Sequence, residues 1–282
     1  MLSKRIVTIL PDLTFEESLE ITKLQSIAGI LPNEISLVKK RPFRSPHHTL
    51  SKVSLMGGGR IPKPGEITLA HYGVLFMDEF PEFSRSTLEA LRGPLEDKEV
   101  TISRINSTIT YPCNFIFIAT MNPCPCGYLN DERKECVCTP NQITNYRNKI
   151  SGPILDRIDM HVEVARVEYK KLKEKEFIEN SKTIRERVNS ARKIQIERYR
   201  KEKIFSNSEL TPTMIDKYCV LENDAKILLE KSFETYNYSA RSYSKILKMA
   251  RTIADLDFSE NIKLEHVAEA IQYRVLDRGE LN

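Results

Sequence analysis

Residues 74–77, Val-Leu-Phe-Met, form an unbroken apolar run that opens after Gly73 and ends on Asp78 and Glu79. A short continuous run of this kind reads as a strand buried on both faces. A second run, Phe115 to Ala119, closes on Thr120-Met121-Asn122 and reads as a second buried strand. Residues 99–111 instead alternate apolar and polar positions about Asn106-Ser107, the pattern of a β-hairpin. Met160 to Val164 alternate as well and predict a third strand.

Helical signals lie between these runs. Thr14 and Glu17 have the spacing of a capping box, which predicts a helix to about Ala28 closed by Gly29. Ser84 caps a shorter helix over 85–92, with Gly93-Pro94 as its stop. Thr139-Pro140 opens another that runs to about Lys149. Residues 39–65 are rich in Pro, Gly and basic side chains without periodicity, so a long irregular insert is expected. From about Tyr169 onward no strand pattern appears. A charged helix over 170–203 carries Ile184, Val188 and Ala191 on one face, and four more helices are expected near 213–219, 222–236, 239–256 and 263–274. The prediction is an α/β region over 1–167 followed by an all-helical region over 168–282.

Composition changes this picture little. Of 282 residues, 40% are hydrophobic and 29% charged, which suits a folded chain with room for two cores. A net charge of +4 permits nucleic-acid binding without requiring it. No stretch reaches the roughly 20 apolar residues of a membrane span, and Met1–Leu10 has no secretory pattern, so a cytoplasmic protein is expected. Four of the six cysteines sit close together as Cys124-Pro-Cys126 and Cys136-Val-Cys138. Four thiolates can close a tetrahedral Zn²⁺ site, and four reduced thiols are the alternative. The insert carries Lys39, Lys40, Arg41, Arg44, His47, His48 and Lys52, and the hairpin carries Arg104 near its tip. These could follow a nucleic-acid backbone or form a solvated basic surface.

Adjacent acids at the carboxyl end of a buried strand repel each other unless a cation sits there, and a metal ion is the usual one. With residues 73–80 (GVLFMDEF), the segments IFIATMNPCPCG, SGPILDRIDMHVEV and YSARSYSKILKMARTIADL follow in order, and RPFRSPHHTLSKVSLMGGGRIPKPGEITLAHYGVLFMDEF precedes them. This ordered set resembles the magnesium-chelatase-like AAA+ ATPases, and within them the YifB/ComM group, over nearly the whole chain.

The resemblance implies an AAA+ P-loop-type parallel sheet with a helical lid, and a nucleotide site for ATP and Mg²⁺. Asp78 would hold the Mg²⁺ and Glu79 would activate the attacking water. Asn122 would be the polar residue that senses the γ-phosphate. Arg157 would be the arginine finger reaching a neighbouring subunit, which implies a ring, most simply a hexamer. Arg241 would contact the γ-phosphate from the lid. The group's phosphate loop, G-x-x-x-x-G-K-[S/T], is not found in these 282 residues; Met1 stands where the residue after that loop would be. The expectation is that this polypeptide alone binds MgATP poorly and hydrolyses almost none, and that the group's Lon-protease-like domain is absent from it. The function implied is DNA remodelling of the branch-migration kind. Alternatives are a motor acting on a protein partner, and a fragment that acts only by binding.

Overall fold

The structure, a computed structural model, describes residues 2–59, 62–104, 107–129, 131, 134–164, 179–202, 204–236 and 238–274. The chain divides into two compact units, Met1–Val7 with Asp12–Arg157, and Thr8–Pro11 with Ile158–Asn282.

The first unit is built on a parallel sheet of β1 (Phe43–Arg44), β4 (Val74–Met77) and β7 (Ile116–Ala119), with β4 in the middle. The register aligns Phe43 with Val74, and Val74 through Met77 with Ile116 through Ala119. All four residues of β4 are buried, as an apolar run between two neighbours requires. Leu75 and Met77 enter the main core with Leu24, Leu55, Ile67, Phe80, Leu88, Leu91 and Ile154. Phe76 stacks on Phe43 at 6.0 Å on the opposite face. The helix Phe15–Ala28 starts with the expected capping box and ends at Gly29 in the left-handed region. The helix Pro140–Arg147 also has its capping box, between Thr139 and Gln142.

The structure revises several expectations. Residues 39–65 are not one irregular loop: they hold β1, a helix Lys52–Met56, and an antiparallel ribbon of β2 (Gly57–Gly58) with β3 (Lys63–Pro64). Gly57 has φ +102°, and a Cβ there would lie 2.5 Å from the Lys63 carbonyl oxygen, so the ribbon can close only on glycine. Gly93-Pro94 does not end the helical run. The helix Arg85–Ala90 stops first, and Pro94 lies in the first turn of the next helix, Arg92–Asp97, where its missing N–H has no intrahelical acceptor. The hairpin pairs β5 (Glu99–Arg104) with β6 (Ser107–Pro112), Arg104 opposite Ser107; Asn106 at its tip lies outside the described residues. β7 is only partly buried, with Ile116 45% exposed, because among the described strands it pairs on one side alone. Met160–Val164 forms no strand. Its alternation finds no ladder partner among the described residues, and Val162 and Val164 are exposed.

The second unit is helical, with helices Ser181–Arg198, Pro212–Tyr218, Asn223–Tyr236, Ala240–Leu256 and Leu264–Gln272. Residues 165–178, which include the expected boundary and the start of the charged helix, lie outside the described residues. Ile246, Leu247, Ala250 and Ala254 recur at helical spacing and pack with Tyr199, Leu210, Leu229, Ile262, Val267 and Ile271. No helix among the described residues is long and apolar enough to cross a membrane.

Candidate functional site

Because β4 and β7 are parallel and in register, their carboxyl ends open at the same edge of the sheet. Open α/β sheets bind ligands at that edge. Asp78 follows β4 and is exposed; its Oδ1 accepts from the Thr120 hydroxyl, and from the Glu79 N–H at 3.1 Å. The Phe80 N–H donates to the Thr120 carbonyl at 2.8 Å, and the Thr120 N–H to the Met77 carbonyl at 3.1 Å, so the two strand ends remain joined past the ladder. Glu79 is also exposed and has φ +52° and ψ +47°. A left-handed non-glycine residue costs about 1–3 kcal/mol and persists only where its surroundings enforce it. Here buried Phe80 and Pro81 follow immediately, and burying them turns the Glu79 carboxylate outward.

Asn122 is exposed beyond the end of β7, on the same edge as Asp78 and Glu79. The Tyr146 hydroxyl is in hydrogen-bonding contact with the Asn122 backbone; burial pushes the phenol upward and this contact opposes the shift. Gly127 lies beside the Asn122 carboxamide, so that a Cβ on Gly127 would meet Asn122 Cγ at 3.8 Å.

Two neighbours of the acids, Thr120 and His48, are not assigned to this edge by the sequence. Thr120 had a visible signal, since it begins the polar end of β7. His48 had been grouped with nucleic-acid candidates, yet its Nδ1 lies 3.4 Å from Glu79 Oε2, while its ring faces Phe83 edge-on at 6.5 Å and packs 4.1 Å from His47.

Arg157 is in the first unit with its side chain 13% exposed; it is ion-paired with Glu96 and donates to the Pro153 carbonyl at 2.7 Å. Its buried Nε has no hydrogen-bond partner. Arg241 is in the second unit, exposed in the first turn of Ala240–Leu256, whose Ser239 cap accepts from the Ser242 N–H.

The basic candidates separate into two kinds. Arg41 is 12% exposed, pairs with Glu17 at 2.9 Å and donates to the Tyr72 carbonyl at 2.8 Å, so it ties the insert to the fold. Arg44 makes a bidentate pair with Glu66, both contacts at 2.6 Å, which raises its pKa. These two charges are already neutralised, which removes the reason for assigning them to a phosphate backbone. Lys39, Lys40, His47 and Lys52 are exposed. Arg104 reaches from the hairpin to the Gly59 carbonyl at 3.4 Å, and Tyr111 donates to the Pro62 carbonyl at 2.9 Å. Hairpin and insert therefore form one surface.

The four clustered cysteines converge. Their sulfurs all lie within 4.8 Å of one another, with Cys124–Cys126 at 3.4 Å, Cys124–Cys136 at 3.7 Å and Cys126–Cys136 at 3.6 Å. Tetrahedral sulfurs ~2.3 Å from one ion stand about 3.8 Å apart. The set therefore fits one tetrahedral ion and is too wide for disulfides, in which sulfurs are ~2.05 Å apart. Backbone amides of Tyr128 and Val137 point at the Cys126 sulfur and hold that thiol down, to about 6. Cys136, at about 12, and Cys138 are pushed up in the same cluster by burial and the neighbouring sulfurs. Cys113 and Cys219 lie outside it as buried core thiols, and burial pushes them up to about 12 and about 11.

Residues 1–172 match the family described as "Magnesium chelatase, subunit ChlI", and residues 178–274 match "Magnesium chelatase, subunit ChlI C-terminal". The chain is 42% identical over 283 residues to "Uncharacterized protein YifB" of Escherichia coli, covering 99% of this chain and 54% of that protein. It is 42% identical over 281 residues to "Competence protein ComM" of Haemophilus influenzae, covering 99% and 53%. A Mycobacterium tuberculosis protein, "Uncharacterized protein Rv2897c", is 34% identical over 275 residues, covering 97% and 54%. The chain thus spans about half the length of these relatives.

Proposed function

Since the chain belongs to the magnesium chelatase subunit ChlI family, we propose that it is part of a ring-forming AAA+ ATPase that couples MgATP hydrolysis to DNA remodelling. The observation that carries the reading is the pair of exposed carboxylates at the carboxyl end of the central parallel strand, Asp78 oriented by two neutral donors and Glu79 beside His48. Asp78 would hold the Mg²⁺, which would neutralise charge on the phosphates, and Thr120 fixes the orientation of the Asp78 carboxylate. Glu79 accepts a proton from the attacking water, and Asn122 orients that water or the γ-phosphate. A carboxamide suits the task because it both donates and accepts. MgATP, when bound, supplies the phosphoryl group and most of the positive charge facing the acids.

Arg157 reaches the nucleotide of a neighbouring subunit after leaving Glu96, and Arg241 reads the γ-phosphate from the helical unit. Both roles need a ring, for which six subunits is the simplest assignment. One structural Zn²⁺ sits on the four cysteines. Branched DNA is the substrate, met by the exposed bases of the joint insert–hairpin surface, Lys39, Lys40, Lys52 and Arg104 with His47. The setting is cytoplasmic, without a membrane partner.

The test is ATP turnover in a polypeptide where this chain follows a loop of the form G-x-x-x-x-G-K-[S/T]. Mg²⁺-dependent turnover stimulated by branched DNA, in a salt-sensitive way, is expected, with near-background rates from the 282 residues alone. Absence of turnover from the loop-bearing polypeptide, or robust turnover by the 282 residues alone, contradicts the account. Stimulation by a protein partner but not by DNA would overturn the substrate assignment.

A further inference from the structure

We propose that the Zn²⁺ closed in by Cys124, Cys126, Cys136 and Cys138 is the element that holds the Asn122 turn at the strand ends, so that metal occupancy decides whether Asn122 is presented to the site. The proposal deepens the zinc assignment above, and it depends on the ATPase reading only for its functional consequence.

The argument starts from the path of the chain. Between the end of β7 at Ala119 and the helix cap at Thr139, the described residues contain no helix or strand. A connection of that length without secondary structure is uncommon in a compact domain unless something else constrains it. Apolar packing does not supply the constraint. Cys124 is the one buried residue among those described over 120–138, while Met121, Asn122, Pro125 and Val137 are exposed. Backbone bonding supplies little: Gly127 N–H to the Cys124 carbonyl at 3.0 Å, and Asp131 N–H to the Tyr128 carbonyl at 3.1 Å.

Among the described residues, the two halves of the excursion are joined by the Lys134 ammonium over the Tyr128 ring at 4.0 Å, an exposed contact, and by sulfur. Cys124 and Cys126 come from its beginning, Cys136 and Cys138 from its end, and their sulfurs converge at tetrahedral spacing. Backbone amides of Tyr128 and Val137 point at the Cys126 sulfur, a contact that suits a metal-bound thiolate. Four converging thiolates suit Zn²⁺, iron being the other metal that takes such a set.

The clip reaches Asn122 directly. Cys124 stands two residues after it, and Gly127, at φ +78° inside the clip, lies against its carboxamide. The Tyr146 hydroxyl lies against the Asn122 backbone. With the ion in place, the turn is fixed between Tyr146 and the metal loop. Without it, the described residues leave the Thr120 junction, two local turn bonds and the exposed Lys134–Tyr128 contact.

The experiment uses the purified 282-residue chain and no nucleotide. Elemental analysis should find one zinc per chain. Amide exchange by mass spectrometry is then compared for the chain as purified, after zinc is stripped with a mercurial and a chelator, and after Zn²⁺ and thiol reductant are restored. Peptides covering 120–129 and 134–138 should lose protection on stripping and regain it on restoration, while peptides of β4 and of the helix Ala240–Leu256 stay unchanged. The double variant Cys136→Ser/Cys138→Ser should hold no zinc and exchange like the stripped chain; if it fails to fold, the reversible stripping gives the same readout. A chain without zinc and with four titratable thiols in this loop overturns the zinc assignment. Bound zinc whose removal leaves exchange over 120–129 unchanged overturns the positioning role. Neither result bears on ATP turnover, so failure here and failure of the ATPase reading are told apart.

Discussion

Asp78 and Asp255 are both aspartates held by several donors, one in each unit, and they serve opposite ends. Asp255 is fully buried. It accepts from Arg198 Nη1 at 2.9 Å, Arg251 Nε at 3.1 Å and Asn207 Nδ2 at 2.9 Å, so the protein itself supplies its countercharge. Asp78 is exposed and its donors, the Thr120 hydroxyl and the Glu79 amide, are neutral. They fix its direction and leave its charge uncompensated. A carboxylate neutralised from within is part of the scaffold; one oriented but left charged is ready for a cation. Arg251 is wholly buried on Asp255, whereas Arg241 is exposed at a helix start.

The largest effect should come from breaking the scaffold acid. Asp255→Ala strands Arg251 and Arg198 without their partner, and removing one side of a buried pair costs about 3–5 kcal/mol. Urea denaturation followed in the second unit should show that loss; a change below about 1 kcal/mol, the scale of a surface pair, would mean that Asp255 is no more structural than Asp78.

A histidine pair repeats the contrast within the first unit. His48 faces Glu79 at the open edge, whereas His71 is buried, accepts from the Asn114 N–H on Nδ1 at 2.9 Å and pairs with Glu20 through Nε2 at 3.0 Å. Burial lowers the His71 pKa from 6.5. The unfolded chain therefore takes up a proton near pH 6.5 that the folded unit resists. Stability from this group is complete above that pH and declines below it, by at most about 1.4 kcal/mol per pH unit for one proton. Denaturation between pH 7.5 and 5.5 should show the decline in the first unit and a smaller slope in His71→Gln. An identical slope in that variant would assign the pH dependence to other groups.

Local signals made much of the fold legible. The capping box at Thr14, the Thr139-Pro140 helix start, the apolar run of β4 and the hairpin alternation each involve residues a few positions apart, and each appears in the structure. Expectations failed where the deciding partner was distant. The alternation over 160–164 defines a face but cannot supply a neighbouring strand. Pro94 reads as a helix stop until the break at Leu91 places it in a first turn. Arg41 and Arg44 look like free basic residues until Glu17 and Glu66 are brought to them by folding. The site was legible in part for the same reason. Strand ends announce Asp78, Glu79 and Asn122, while the Thr120 clasp follows from a parallel register, and the His48 contact from the return of the insert past the sheet edge.

The central claim is that the open acids do chemistry and the closed ones hold structure. The most direct measurement is ATP turnover of Glu79→Gln in the loop-bearing polypeptide, with urea denaturation run on the same samples. General-base catalysis contributes roughly 10²–10⁴ in rate, so turnover should fall by that factor while the midpoint stays within the ~0.5 kcal/mol typical of a surface change. Unchanged turnover, or a loss that only tracks unfolding, would contradict it.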